Sequence, residues 1–170
     1  MHSQSEQFEI RDLHAHSGRE ELLRLNNASA SETSLLTAAR FEQLIDAATI
    51  ALFVPPAAAM LLAFEHGDNY DGTHFGWFRG RMDQFLYVDR IVVGAAWRRH
   101  GLARKLYREV FRQAAHRGHR RVVCEVNLQP PNPISDALHH SLGFEEVGRT
   151  TIDGGAKTVR YLCARLEPRT

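Results

Sequence analysis

This sequence predicts an α/β domain of about seven strands and four helices, and three stretches carry that expectation. In the first, residues 85–118, a strand passes through a short glycine turn into an amphipathic helix. The second is a pair of apolar runs, TIALFVPP and AAAMLLAFEHG, joined at Pro55-Pro56. The third is a closing hairpin, EEVGRTTIDGGAKTVRYLCARLE, folded at Asp153-Gly154-Gly155. Taken along the chain, the elements run β-α-α-β-β-β-α-β-α-β-β, a sheet with helices to cover it. A chain of 170 residues is long enough for one sizeable core, so residues 1–170 read as a single domain.

In order, FEIRDL (8–13) reads as a short first strand. Ser17 then caps a helix, with Glu20 three residues on as its capping-box partner. That helix, REELLRLNNA, turns Leu22, Leu23 and Leu25 inward and frays at Asn26-Asn27. A second helix, capped at Ser31 or Thr33, runs through ARFEQLIDAA with Phe41, Leu44 and Ile45 inward. The two apolar runs that follow lack alternation, which implies strands buried on both faces. EHGDNYDGTHFGWFRGRMDQ is a long irregular connection; Tyr70, Phe75, Trp77 and Phe78 make it a binding loop or lid rather than a disordered one.

FLYVDRIVV has the β-branched and aromatic content of a buried strand. In the helix after it, Leu102, Leu106 and Val110 form one apolar row, and Ala103, Tyr107, Phe111 and Ala115 a second. Arg104, Lys105, Arg108, Glu109, Arg112 and Gln113 fill the opposite face. RRVVCEVN is the next strand, LQPPNP a rigid turn, and ISDALHHSLGF a short helix capped by Ser135 or stopped at Gly143.

Composition narrows the class. No apolar run reaches the roughly 18–20 residues that span a bilayer. The first residues lack a basic segment followed by an apolar one, so a cytoplasmic location is expected. Cys124 and Cys163 sit inside apolar strand-like runs and fit buried thiols in a reducing compartment. The formal net charge of +1 hides an asymmetry: residues 98–121 carry nine Lys and Arg against the single Glu109, whereas residues 1–71 are acidic. A basic block of this kind suits nucleic acid, a membrane surface or an acidic small ligand. The ten histidines show no metal-ligand spacing, and no H-E-x-x-H, paired C-x-x-C or G-x-S-x-G occurs, so no metal is expected.

The turn at residues 98–103 is an anion site by construction. A strand that turns through Gly101 into a helix leaves several backbone N–H groups unpaired at one point, where the helix dipole adds positive potential. G-x-G-x-x-G and G-x-x-x-x-G-K-[ST] are both absent. Arg98-Arg99-His100-Gly101-Leu102-Ala103 instead matches Q/R-x-x-G-x-G/A, so the chain resembles the GNAT (GCN5-related N-acetyltransferase) superfamily. The ending Ser141-Leu142-Gly143-Phe144-Glu145-Glu146-Val147-Gly148 and Asn127 at the end of the fifth strand extend the likeness. FLYVDRIVV, CEVN, PPNP and HxxLGFxEVG together resemble one bacterial subgroup of predicted acetyltransferases.

The resemblance implies a GNAT fold, a mixed sheet whose fourth and fifth strands splay apart to admit acetyl-CoA or another acyl-CoA. It implies that Ile91, Val92 and Val93 offer backbone groups to the pantetheine arm. The N–H groups from Arg99 through His100, Gly101 and Leu102 to Ala103 would hold the pyrophosphate, with Arg98 and Arg104 beside it. Many members place a tyrosine acid five residues before the Phe of Leu-Gly-Phe; here His139 stands there. An imidazole is able to donate to a thiolate, and equally able merely to fill the tyrosine's volume.

An ammonium acceptor must lose a proton, at a cost of roughly 4–5 kcal/mol at neutral pH. Asp89 and Glu125 are acids inside otherwise apolar strands, so each is a base or is paired with an arginine. Arg90 adjoins Asp89, but strand neighbours face opposite ways unless a bulge intervenes. Asn26, Asn27, Tyr70, Asp71, His74 and Trp77 are the candidate acceptor contacts. The expected activity is transfer of an acyl group, most simply acetyl, to a primary amine of a small molecule or peptide in a ternary complex. The acidic first part suggests that this amine is cationic. A silent acyl-CoA sensor is the main rival. A nucleic-acid module is disfavoured because the basic face carries no interleaved aromatics, and a homodimer is left open.

Overall fold

The structure, a computed structural model, describes residues 8–167. Seven strands form one sheet in the order β1-β2-β3-β4-β5-β7-β6. They are β1 (Arg11–Asp12), β2 (Ile50–Val54), β3 (Ala59–Glu65), β4 (Phe85–Val93), β5 (Arg121–Gln129), β6 (Glu145–Ile152) and β7 (Lys157–Arg165). The helices are α1 (Arg19–Ala28), α2 (Ala38–Ala47), α3 (Thr73–Arg79), α4 (Leu102–His116) and α5 (Pro133–Ser141). Every strand pairing is antiparallel except β4 with β5, so the sheet is mixed. None of the described helices is long and apolar enough to cross a membrane.

Two cores sandwich the sheet. Phe53, Met60, Leu62, Phe64, Phe85 and Tyr87 meet Leu22 of α1, Phe41, Leu44 and Ile45 of α2, and Phe75 and Phe78 of α3. Ile50, Leu52, Leu61, Ala63, Leu86 and Val88 meet Leu102, Leu106 and Val110 of α4 and Leu138 of α5 on the other face. Consecutive strand residues thus serve opposite cores, which is why β2 and β3 read as unbroken apolar runs.

That alternation breaks on β4. Odd residues Phe85 and Tyr87 face the first core, but beyond Asp89 it is even-numbered Val92 that faces it. The register agrees: Ala63 pairs with Val88 and Leu62 with Arg90, so Asp89 is an extra residue in a β-bulge. The bulge turns Arg90 onto the α1 face and permits the contact with Asp89 that a regular strand forbids.

Several local expectations are corrected. The first strand is only two residues long. Ser17 does not cap α1; Gly18 occupies that position without a side-chain bond, and the Arg19 guanidinium secures the entry by donating to the His14 and His16 carbonyls. Thr37, not Ser31 or Thr33, caps α2 by accepting from the Arg40 N–H at 3.1 Å. Asn132 rather than Ser135 caps α5. Asn26 does not fray but is wholly buried within α1. The long connection contains α3, a fifth helix. Gly76 in its middle, among Thr73, His74 and three aromatic residues, gives it poor intrinsic propensity, and burial of Phe75 and Phe78 overrides this. The Asp153-Gly154-Gly155 hairpin and both buried, free cysteines match expectation.

Candidate active site

β4 and β5 pair only at Phe85↔Arg121, Leu86↔Val122 and Tyr87↔Val123. Beyond these the strands part, and a cleft of about 320 Å³ opens between them. The parting begins two residues before the bulge at Asp89, which bends β4. Asp89, Ile91, Glu125, Asn127 and His139 line the cleft together with Tyr70 and His74.

Asp89 is held by a network. Its side chain and that of Arg90 are each 6% exposed, and Arg90 Nε donates to Asp89 Oδ2 at 2.7 Å. The Tyr70 hydroxyl donates to the other carboxylate oxygen. Arg90 Nη1 donates to Asn26 Oδ1 at 3.0 Å, and Asn26 Nδ2 donates to Asn27 Oδ1 and to the Ser34 carbonyl. Asn27 in turn bonds both backbone groups of Leu36. Burial, with the negative Asp89 beside it, pushes the Tyr70 phenol far above its ordinary range, so it remains a donor.

Glu125 has a different environment. Among the described residues its one side-chain partner is the Tyr87 hydroxyl, which donates to Oε2 at 2.8 Å, and no cation pairs with it. Desolvation, followed by repulsion from Asp89, pushes the carboxyl up to about 8. Lys157, at the start of β7, lines the same cleft and opposes that rise. His74 Nδ1 lies 3.0 Å from the Tyr161 hydroxyl, and burial lowers its imidazole.

His139 is 4% exposed, with Nε2 at 2.8 Å from the Tyr107 hydroxyl and Nδ1 at 2.7 Å from the Ser135 carbonyl. Burial lowers its pKa below the ordinary histidine value. Tyr107 is itself buried, and the surrounding apolar residues raise its phenol.

Beyond the end of β4, Arg98, Arg99, His100 and Gly101 form the exposed turn into α4. Arg99 and Gly101 have positive φ, 66° and 73°. A Cβ at Gly101 would meet nothing, so glycine is required by backbone conformation alone. No side chain caps α4; its first internal bond is Lys105 N–H to the Gly101 carbonyl. The N–H groups at Leu102, Ala103 and Arg104 therefore point out of the helix, a concave cluster suited to a pyrophosphate. Leu102 itself anchors the helix in the core, and Arg104 Nη2 donates to Ser141 Oγ at 2.6 Å, tying α4 to α5. Past Tyr87 the edge of β4 that carries Ile91, Val92 and Val93 is not paired with β5.

Other candidates lie elsewhere. Asn26 and Asn27 stand behind Arg90, outside the cleft lining. Asp71 is exposed and paired with Arg40. Trp77 stacks on Tyr161 at 4.0 Å and lies against Gly148. Sequence reasoning did not single out Tyr87, Tyr107 or Lys157, and it allowed Arg90 as the partner of Asp89 only where a bulge intervenes, as one does. Tyr107 was visible as the lone hydroxyl in an apolar helix row, and Tyr87 shares a strand with Asp89.

The family model described as "Acetyltransferase (GNAT) family" matches residues 22–144. An L-2,4-diaminobutyric acid acetyltransferase of Wolinella succinogenes is 27% identical over 84 residues, 49% of each chain. The match thus spans about half the length of that curated relative. Among solved structures, yncA from Salmonella typhimurium, with its cofactor acetyl-CoA, superposes at a TM-score of 0.71 with 18% identity, covering 96% of each chain. The Escherichia coli ribosomal-protein-S18-alanine N-acetyltransferase gives 0.67 and 15%, covering 95% of this chain and 96% of that one. At these identities the likeness is one of fold.

Proposed function

This chain belongs to the GNAT family of acetyltransferases, and on that premise we propose that it transfers an acetyl group from acetyl-CoA to a primary amine of a small molecule or peptide. The single observation that carries the reading is the cleft between the parting β4 and β5, with Glu125 in its lining; the uncapped start of α4 follows β4 in the chain. Acetyl-CoA supplies the activated thioester. Arg99 to Ala103 bind its diphosphate through backbone N–H groups, and β4 lies along its arm with Ile91 to Val93.

Of the two carboxylates, Glu125 is the proton acceptor. Asp89 is occupied by Arg90 and Tyr70 and serves to hold the wall of the cleft. Glu125 has no cationic partner. Taking a proton from an ammonium of pKa near 10.4 costs about 8 kcal/mol with an ordinary glutamate and about 3 kcal/mol with one at 8. Burial therefore makes Glu125 a workable base near pH 8. The amine approaches past Tyr70, His74 and Glu32, which line the same opening. A cytoplasmic location accords with two buried, free thiols.

Thiol release from acetyl-CoA is the test, with amino acids, diamino acids, polyamines, aminoglycosides and peptides as acceptors. Turnover of at least one class, favouring cationic over neutral amines, is expected. Comparable turnover of both would remove the cationic preference. One observation favours a second reading, an acyl-CoA sensor without turnover: both ring nitrogens of His139 are engaged by the protein. Tight CoA binding with no thiol release across the panel would establish it.

A further inference from the structure

Nδ1 of His139 faces the Ser135 carbonyl at 2.7 Å, an acceptor only, so Nδ1 carries the hydrogen. In the neutral ring Nε2 is then the acceptor, and the Tyr107 hydroxyl at 2.8 Å donates to it. The imidazole thus has no free nitrogen to offer a ligand. Tyr107 differs. It lines the cleft floor beside Cys124 and Glu125, and its hydroxyl hydrogen is able to swing from Nε2 towards an anion in the cleft.

We propose that Tyr107 presents the hydrogen-bond donor to the sulfur of the bound thioester, and that His139 is a positioning residue that fixes the phenol. This rests on the reading of the cleft as the acyl-transfer site. The amine nitrogen forms the C–N bond, and the C–S bond breaks with its electron pair left on sulfur. Tyr107 donates to that pair as it forms. The ammonium gives up two protons over the cycle; one ends on the thiol and the other is released to solvent through Glu125.

The protonation states agree. Burial lowers His139 below the ordinary histidine value, so its ring is neutral at pH 8, where Glu125, pushed up to about 8, is half ionised. An acid at His139 and a base at Glu125 would rarely coexist in working form. Tyr107, raised by burial, is a donor throughout that range.

The decisive measurement is the ionisation of the CoA thiol in the binary complex, followed by thiolate absorbance, alongside CoA affinity and thiol release. In the wild type the bound thiol should titrate about one to two pH units below its usual 8.5. Tyr107→Phe should return it to 8.5, keep the CoA Kd within about threefold, and lower kcat at least about tenfold. His139→Phe should weaken the effect, and His139→Gln, whose amide is able to bond the phenol oxygen and hold the ring in place, should restore most of it. In the Tyr107→Phe background, His139→Phe should cost nothing more in kcat. Should Tyr107→Phe not fold, a fluorotyrosine at the same position, a stronger donor of similar shape, should lower the thiol pKa further. Bound CoA whose thiol titrates at its usual value overturns the proposal. So does Tyr107→Phe that leaves a lowered thiol in place while His139→Phe abolishes it. Absence of CoA binding by the wild type instead overturns the acyl-transfer reading together with this one.

Discussion

The turn into α4 and the wall of the cleft are built on different principles. The cradle at residues 99–103 is backbone: two residues of positive φ, an uncapped helix and a free strand edge, all within one short stretch. The wall at Asp89 is made of side chains, with Tyr70, Asp89, Arg90 and Asn26 drawn from a loop, β4 and α1. A backbone site depends on conformation and is indifferent to most side chains. A side-chain network fails when one member is lost, because its buried charges are left without partners.

The largest effect should fall on the network. Arg90→Ala leaves Asp89 as a buried, uncompensated carboxylate, so about 3–5 kcal/mol of stability should be lost. Thermal unfolding should register this as a fall of about 10 °C. A shift within 2 °C or so would break the contrast between the turn and the wall. Pairing it with Asp89→Asn should recover most of the loss.

Glu125→Gln should lower kcat about 100-fold with little change in CoA affinity. It should also change the pH dependence of stability. The wild-type carboxyl titrates near 8 in the folded chain, above its unfolded value. Between those values the folded state holds the extra proton, so this group's contribution to stability falls as pH rises towards 8. The glutamine cannot ionise, so the variant's melting temperature relative to wild type should climb from pH 5 to pH 8. A constant difference would show that Glu125 does not hold that proton.

At the cradle, Gly101→Val places a β-branched residue at φ 73°, a strain of about 1–2 kcal/mol. CoA affinity measured by calorimetry should fall about tenfold. Arg98→Gln should cost only a few-fold and lose even that at high salt, because an exposed charge is screened. Equal losses would mean that side chains, not backbone, carry the cradle. The smallest effect is expected for Asp71→Asn, which removes an exposed pair with Arg40 outside the cleft. Melting should stay within about 1 °C and kcat/KM within about twofold.

Legibility in the sequence followed the same division. β4 begins and ends where its composition says, and α4 begins at Leu102 as its period predicts, because strand and helix periodicities are local signals. The turn into α4, with Gly101 at positive φ and no side-chain cap, was legible for the same reason, since all of its groups lie between Arg98 and Arg104. α3 was not legible, because a glycine-rich segment becomes a helix only once Phe75 and Phe78 find a core. The partner of Asp89 was not legible either. The strand rule set Arg90 on the opposite face, and only pairing with β3 inserts the bulge that reverses it.

By itself, then, the sequence determined the seven strands, four of the five helices, the apolar faces and the glycine turn before α4, all matters of neighbours a few residues apart. The tertiary structure alone decided which titratable groups meet. Tyr107 reaches His139 across 32 positions, Tyr87 reaches Glu125 across 38, and Arg90 reaches Asn26 across 64. It also decided that Glu125 is left without a cationic partner while Asp89 has one. Proton chemistry depends on burial and partners, and those exist only once the sheet has brought distant segments together.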